Sequence, residues 1–180
     1  MNKIKLLILD IDGVLTPGNK IYDHTGFCVQ KEFRDKDWTA IKLFKCHGVN
    51  VCFLTGDPFN LQLANNRDLD CYINKVDGKM IDKSLFLNEI CSKYNVTIED
   101  VAYIGDDYFD FRILSKVKYA FVPLDAPNEL LINFKSLPWR GGENYIMKFY
   151  EHCLENELIE NISLLDKINL LYEIDAKEKY

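Results

Sequence analysis

Two carboxylates, Asp10 and Asp12, stand where an apolar run, Leu6-Leu7-Ile8-Leu9, gives way to the turn Asp10-Ile11-Asp12-Gly13-Val14-Leu15-Thr16. Four apolar residues in succession read as a strand buried on both faces. A carboxylate cannot continue into such a core without a partner. Two further apolar runs end in polar residues: one in Thr55-Gly56-Asp57, the other in Gly105-Asp106-Asp107, with Asp110 a turn further on. Lys83 begins a helical pattern ahead of the last run. Asp10, Asp12, Asp106, Asp107 and Asp110 in one small volume would raise one another's pKa by repulsion. A divalent cation removes the conflict, and hard oxygen ligands favour Mg²⁺. With Lys83 and the Thr55 hydroxyl, that set suits a phosphoryl group, whose oxygens need neutralising and hydrogen-bonding.

A carboxylate can be the nucleophile in such chemistry, forming an aspartyl phosphate. Asp10 is the better placed, because it leaves the buried strand directly. Asp12, two residues on, reaches the same crevice and suits a proton donor to the leaving alcohol and then a base for water. Gly13 lets the chain turn sharply beside a ligand. Taken alone, Asp-x-Asp-Gly is as often a capped turn; Thr55, Lys83 and Gly105-Asp106-Asp107 in this order argue for the site. No Ser–His or Cys–His pair competes, and His24, His47 and His152 are scattered, as surface or packing histidines are.

These residues need elements to bring them together. Strand-like runs over Lys5–Leu9, Val49–Leu54, Cys71–Ile73, Val101–Ile104 and Tyr119–Val122 alternate with helix patterns. Helices are predicted over Lys36–His47, from Asp57-Pro58 toward Leu69, over Lys83–Tyr94 capped by Asp82, and over Tyr108–Lys116. The alternation predicts an α/β fold with a central parallel sheet covered on both faces. Right-handed crossovers put every strand-to-helix turn at one edge, the usual ligand crevice. Residues 17–34 are too long for a simple turn. Lys20–Tyr22 and Phe27–Phe33 pair there as a hairpin around Asp23-His24-Thr25-Gly26. Two helices are expected at the C-terminus, Glu143–Leu158 and Ile159–Ile174. The second carries an apolar stripe of Ile159, Ile162, Leu165, Ile168 and Leu171–Tyr172, which packs on its own domain or on another subunit. The expected division is a core over residues 1–158, with a flap over 17–34, and a helical appendage over 159–180.

The 180 residues, 48% of them hydrophobic, are enough for one packed domain. A net charge of −6 argues against a nucleic-acid partner. No apolar stretch reaches membrane-spanning length, and the first strand starts without a preceding signal-peptide pattern. A cytoplasmic protein is expected. The six cysteines, Cys28, Cys46, Cys52, Cys71, Cys91 and Cys153, show no C-x-x-C pair and read as reduced, apolar-like fillers rather than zinc ligands or disulfides.

The set Asp10-Ile11-Asp12-Gly13-Val14-Leu15-Thr16, Thr55-Gly56, Lys83 and Gly105-Asp106-Asp107-x-x-Asp110 resembles the four motifs of the haloacid dehalogenase (HAD) superfamily of phosphatases, from residue 4 to about residue 142. Within it, the chain is most similar to the small capless group that contains the 3-deoxy-D-manno-octulosonate 8-phosphate phosphatases and the nonulosonate 9-phosphate phosphatases. The grounds are Phe33-x-x-x-Asp37-x-x-x-Ile41, the lack of an insert long enough for a cap domain, and Gly141-Gly142. The resemblance implies a Rossmann-like three-layer sandwich and hydrolysis of a sugar phosphate, a 2-keto-3-deoxy sugar-acid phosphate by analogy. It implies Asp10 as nucleophile and Asp12 as general acid/base. Mg²⁺ would be bound by the Asp10 carboxylate, the Asp12 main-chain carbonyl and Asp106. Thr55 and Lys83 would hold phosphoryl oxygens. Asp107 and Asp110 would orient metal waters or Lys83, and Gly13 and Gly56 would support the loops. It further implies a homotetramer in which the hairpin and neighbouring chains close the site.

The sequence departs from that group at several positions. Asp57 stands where many members have Arg or Glu, and Trp38 replaces a Gly. Arg67 lies farther from Thr55 than is usual, and Asn144-Tyr145-Ile146-Met147 replaces a small residue and an Arg. Tyr22, Phe27, Asp57, Arg67 and Tyr145 are the candidate substrate selectors, Arg67 first because guanidinium matches a carboxylate bidentately. Two other classes compete. A catalytically silent HAD-like oligomerisation or regulatory module would not need the intact Asp10, Asp12, Lys83 and Asp106. A phospho-receiver domain carries its acceptor Asp on a middle strand, whereas here that strand ends in Thr55.

Overall fold

The computed structural model describes residues 3–178. The chain runs β1 (Leu6–Leu9), β2 (Lys20–Tyr22), β3 (Cys28–Lys31), α1 (Asp35–Cys46), β4 (Asn50–Thr55), α2 (Phe59–Asn66), β5 (Asp70–Ile73), β6 (Lys75–Val76), β7 (Lys79–Met80), α3 (Leu87–Tyr94), β8 (Val101–Ile104), α4 (Phe111–Leu114), β9 (Tyr119–Val122), α5 (Asn128–Asn133), β10 (Lys135–Ser136), α6 (Tyr145–Glu155) and α7 (Leu164–Asp175). Single 3₁₀ turns precede α3, β8 and α4.

Six strands form one parallel sheet in the order β10-β9-β8-β1-β4-β5. β1 lies inside it, and all four of its residues are buried. Its side chains alternate between two cores, as the period of a strand requires. Leu7 and Leu9 join Trp38, Ile41 and Phe44 of α1 and Ile146, Phe149 and Cys153 of α6. Leu6 and Ile8 join Leu87 and Ile90 of α3, Ile113 and Leu114 of α4 and Leu130 of α5. The sheet is thus the middle layer of three, which is why its strands read as continuous apolar runs.

The expected strands are present with ends shifted by a residue or two, and the expected helices with ends shifted by up to five. Two helix starts differ most: the last helix begins at Leu164 rather than Ile159, and after Asp82 residues 83–86 form a 3₁₀ turn, with the α-helix beginning at Leu87. The turn is capped by the Asp82 carboxylate, which accepts from the Ser84 N–H at 2.9 Å. Asp37, fully buried on α1, caps a different helix, accepting from the Met147 N–H at 3.0 Å in the first turn of α6. Burial pushes its carboxyl up to about 6, against the backbone hydrogen bonds from α6.

The flap hairpin is antiparallel, with Lys20 opposite Lys31. A second hairpin, β6–β7, turns through Asp77 and Gly78, both in the left-handed region. Of the expected C-terminal stripe, Ile159 is buried in the main core, ahead of the helix. The helix proper starts at Leu164 behind a Ser163 cap. Leu171 packs on the core, whereas Leu164, Leu165, Ile168 and Tyr172 are exposed. Lys42 of α1 pairs with Asp175 and Glu178, which ties α7 to α1. All six cysteines are free. No described helix is long and apolar enough to cross a membrane.

Candidate active site

Strand register assembles the site. Leu9 is opposite Phe53 on one side and Ile104 on the other, so the next residue, Asp10, leaves the sheet between the ends of β4 and β8. Its N–H donates to the Ile104 carbonyl at 3.0 Å, continuing the ladder for one more rung. Asp10 is therefore fixed by backbone hydrogen bonding at the edge of a rigid sheet.

Lys83 is 2% exposed, and its ammonium lies 2.6 Å from Asp10 Oδ2 and 2.7 Å from Asp110 Oδ1. Tyr103 donates to Asp110 Oδ1 at 2.5 Å, and the backbone N–H groups of Asp106 and Asp107 donate to Asp110 Oδ2 at 3.0 and 3.1 Å. Asp110 is thus a fully engaged buried anion that fixes Lys83 and the loop carrying Asp106. Burial works against the Lys83 charge, but the two carboxylates outweigh it and hold the ammonium above the ordinary lysine range. Burial pushes the Asp10 carboxyl up to about 6, opposed by Lys83 and reinforced by Asp110.

Asp106 has no such cation of its own. Its Oδ1 is buried without a hydrogen-bond partner. Burial, with the charges of Asp10, Asp110 and Asp107, pushes its carboxyl up to about 8, and Lys83 offsets only part of this. Ligand oxygens of Asp10, Asp106 and Asp110 lie within 4.8 Å of one another. An orphaned carboxylate oxygen in an oxygen-rich cluster fits a hard divalent cation. Gly13 makes the arrangement possible. Its φ is +85°, and a Cβ there would lie 1.9 Å from Asp106 Oδ2.

Asp12 faces the flap. Lys31 Nζ is 2.9 Å and Lys20 Nζ 3.1 Å from its carboxylate. Both lysines also reach Asp57 at 2.9 Å. Burial raises the Asp57 carboxyl, but hydrogen bonds from Lys31 and Lys20 prevail and take it down to about 2. Asp57 also accepts from the Phe59 N–H at 3.1 Å, at the start of α2. Thr55 is 1% exposed, and its hydroxyl oxygen accepts from Asn60 Nδ2 at 3.0 Å, while Asn60 Oδ1 accepts from Lys31 at 2.9 Å. A relay of polar contacts therefore runs from the flap to Thr55 and leaves the hydroxyl proton of Thr55 available to a ligand.

A cleft of about 440 Å³ opens over these groups, lined by Asp10, Asp12, Thr55, Gly56, Lys83, Asp106 and Asp107 at its floor. Lys20, Tyr22, Phe27 and Asp57 line it from the flap and α2, and Lys75, Met80 and Phe109 from the other side. A cleft of similar size, about 450 Å³, lies at the opposite end of the sheet. Its Asp70 is engaged by Lys93 at 2.6 Å and by the Tyr94 hydroxyl at 2.5 Å, so it offers no comparable cluster of uncommitted groups.

The sequence-predicted set Asp10, Asp12, Gly13, Thr55, Gly56, Lys83, Asp106, Asp107 and Asp110 is brought together. Arg67 and Tyr145 are not. Arg67 is 12 residues past Thr55, at the far end of α2, about 12 Å along the helix axis from its start. Its guanidinium stacks on Trp38 at 4.2 Å and pairs with Glu178 at 3.4 Å. That stacking also explains the Trp at position 38. Tyr145 is fully buried and donates to the Val122 carbonyl at 2.9 Å, so it is a core residue. His47 bonds Tyr150 and the Glu160 carbonyl, well away from the cleft. Sequence reasoning did not find Lys20, Lys31, Asn60, Tyr103, Lys75 or Met80. Only Lys20 and Lys31 carried a signal, as polar residues on opposite arms of the predicted hairpin.

No family model matches the chain. It is 31% identical over 127 residues to a 3-deoxy-D-manno-octulosonate 8-phosphate phosphatase of Haemophilus influenzae, covering 71% of this chain and 69% of that protein. The enzyme of the same name from Escherichia coli K12 is 30% identical over 123 residues, 68% of this chain and a little under two thirds (64%) of the relative. The cobalt-bound structure of the Haemophilus influenzae phosphatase superposes with a TM-score of 0.77 at 27% identity, covering 86% of this chain and 89% of that one. The Moraxella catarrhalis phosphatase, crystallised with magnesium, phosphate and KDO, shares the fold at a TM-score of 0.75 and 22% identity, covering 87% of this chain and 90% of that one. The chain belongs to the HAD-superfamily phosphatases, in the family of the 3-deoxy-D-manno-octulosonate 8-phosphate phosphatases. It is a phosphoric monoester hydrolase acting on a sugar phosphate.

Proposed function

We propose that the protein is a Mg²⁺-dependent phosphatase of a 2-keto-3-deoxy sugar-acid phosphate, working through an aspartyl phosphate on Asp10. The observation that carries this reading is the pairing of buried Asp10 with Lys83 at 2.6 Å, beside a carboxylate oxygen of Asp106 that no protein group satisfies. Asp10 and Asp106, with the Asp12 main-chain carbonyl, would hold the cation. Bound there, Mg²⁺ supplies charge neutralisation for the phosphoryl oxygens and the nucleophile.

The protein's own groups then act as follows. Lys83 and the Thr55 hydroxyl bind non-bridging phosphoryl oxygens and hold phosphorus in line with an Asp10 oxygen. That oxygen bonds to phosphorus as the ester P–O bond breaks, and the leaving alcohol takes a proton from Asp12. Asp12, now ionised, accepts a proton from water as the water oxygen attacks phosphorus. The Asp10–phosphorus bond breaks and releases inorganic phosphate. In the arrangement seen here Lys20 and Lys31 hold Asp12 as the carboxylate that accepts the proton from water, so for the first step these flap lysines must draw off it before it can carry the proton to the alcohol. Asp110 fixes Lys83.

The relatives' named substrate supports the sugar-acid class, and a metal appears with two of the similar structures, cobalt in one and magnesium in the other. A cytoplasmic homotetramer completes the reading, its site closed by the flap and neighbouring copies. The deciding experiment is turnover of p-nitrophenyl phosphate and of 3-deoxy-D-manno-octulosonate 8-phosphate with Mg²⁺ or with chelator. Turnover that needs the metal and vanishes in Asp10→Asn supports the proposal; metal-independent turnover, or an active Asp10→Asn, sinks it.

A further inference from the structure

The cleft is bordered by lysines that are already committed. Lys83 is held by Asp10 and Asp110, and Lys20 by Asp12 and Asp57. Lys31, whose side chain is fully buried behind the flap, is held by the same two carboxylates as Lys20. Lys75 also lines the cleft, yet it is exposed and, among the described residues, has no carboxylate within ion-pair distance.

Its place is set by a short hairpin. Lys75 pairs across the β6–β7 hairpin with Met80, so the two side chains share a face, and both border the cleft. Asp77 (φ 49°) and Gly78 (φ 77°) form the two-residue turn, both in the left-handed region that a tight hairpin demands. The hairpin's base is fastened to the phosphoryl-binding strand through Asn74, which is fully buried. Its N–H donates to the Thr55 carbonyl at 3.0 Å, its own carbonyl accepts from the Ile81 N–H at 2.7 Å, and its side-chain Nδ2 donates to the Ile81 carbonyl at 2.7 Å. Met80 lies over Gly56, where a Cβ would come within 2.7 Å of its terminal methyl. The hairpin is therefore seated on the same Thr55-Gly56 segment that would grip the phosphoryl group, and it presents one uncommitted ammonium at the rim.

We propose that Lys75 is the specificity-determining residue that recognises a second anionic group on the substrate, the carboxylate of the sugar acid, at a distance from the phosphoryl group set by the hairpin. This rests on the phosphatase reading of the cleft and names the residue that reads the far end of the substrate. Asp57 cannot serve, since it is itself an anion, and the two lysines bound to it already have their counter-charge. Met80 and Phe109 add apolar walls to the cleft.

The test compares kcat/KM for 3-deoxy-D-manno-octulosonate 8-phosphate with that for ribose 5-phosphate, which lacks the carboxylate. In Lys75→Met the ratio of the two should fall about tenfold, as expected for loss of one charge-assisted hydrogen bond at a partly exposed site, and the loss should appear in KM rather than kcat. Lys75→Arg should keep the ratio within about twofold, because the charge remains. Lys79→Met, on the other strand of the hairpin and not lining the cleft, should leave the ratio unchanged. An unchanged ratio in Lys75→Met, or an equal fall in Lys79→Met, overturns the assignment. So does a native enzyme that turns over p-nitrophenyl phosphate with Mg²⁺ but does not prefer the acid, although the phosphatase reading would then survive. A native enzyme that hydrolyses no phosphate ester overturns both.

Discussion

Gly141 packs backbone to backbone on Gly13, so closely that a Cβ at position 141 would lie 1.8 Å from the Gly13 carbonyl oxygen. The neighbouring Gly142 donates its N–H to the Val14 carbonyl at 2.8 Å and accepts from Arg34 Nε at 3.2 Å. The late glycine pair is therefore a brace for the Asp10–Thr16 loop. Gly141→Ala should push Gly13 toward Asp106, costing about 1–3 kcal/mol of stability, as forced overpacking does. It should also lower kcat on p-nitrophenyl phosphate. A denaturant melt and a steady-state assay check this; a melt unchanged from that of the native protein would refute the brace.

Asp12→Asn should slow both formation and hydrolysis of the phosphoenzyme, by about 10²–10⁴ for loss of the acid/base. The penalty on formation should shrink for esters whose leaving alcohol is acidic and needs no proton. Rapid-quench measurements on p-nitrophenyl and alkyl phosphates separate the two steps. A penalty that does not vary with the leaving group argues for a purely structural Asp12.

Burial lifts the Asp10 carboxyl to about 6 and the Asp106 carboxyl to about 8, so in chelated protein near neutral pH a cation must displace protons. Mg²⁺ affinity should therefore tighten as pH rises from about 5.5 to about 8.5, with proton release on binding. Titration calorimetry in buffers of different ionisation enthalpy measures that release. The same shifts act on the fold: both carboxyls are raised above the unfolded value of 3.8. Their contribution to the chelated protein's stability is complete below about 3.8 and is lost as pH climbs through 6 and 8. The protection against unfolding gained from added Mg²⁺ should thus be greater at alkaline than at acid pH.

Lys83→Met leaves Asp110 fully buried with Tyr103 and two backbone N–H groups but no cation. Removing one partner of a buried ion pair costs about 3–5 kcal/mol. Equilibrium denaturation should show a loss of that order together with abolished phosphatase activity. A loss under about 1 kcal/mol would mean that the pair is far better solvated than its burial implies.

Asp37→Ala should cost about 1–2 kcal/mol, the usual value of a helix cap, because α6 loses the acceptor for the Met147 N–H. Asp37→Asn keeps an oxygen acceptor and should recover most of it. Thermal melts of the two variants decide, and equal destabilisation would show that the charge rather than the cap matters.

The sheet was legible because its strands are buried on both faces and the sequence there is continuously apolar. The reactive cluster was legible because each of its members sits just past such a run, and parallel register brings strand exits together. Lys20 and Lys31 were not legible as partners of Asp12 and Asp57, since a hairpin's tilt over the sheet depends on tertiary packing that periodicity does not encode. β6–β7 escaped for a related reason: two-residue strands are shorter than any alternation can signal, and only Asp77-Gly78 marked the turn. Arg67 misled because its type suits a carboxylate while its place at the end of α2 suits Trp38. Such a choice is made by helix length, not by chemistry.

The flap is fastened to the catalytic floor on its inner side by Lys20 and Lys31, which straddle Asp12 and Asp57, with Lys31 also donating to Asn60 Oδ1 and lying over the Phe59 ring. Lifting it would strip two anions of their counter-charge at once, and because the Lys31 side chain is wholly enclosed, dissolved salt screens these pairs far less than it screens surface pairs. Movement of the flap should thereby be coupled to the charge that Asp12 carries, a link that a cap domain gripped by apolar contacts would lack.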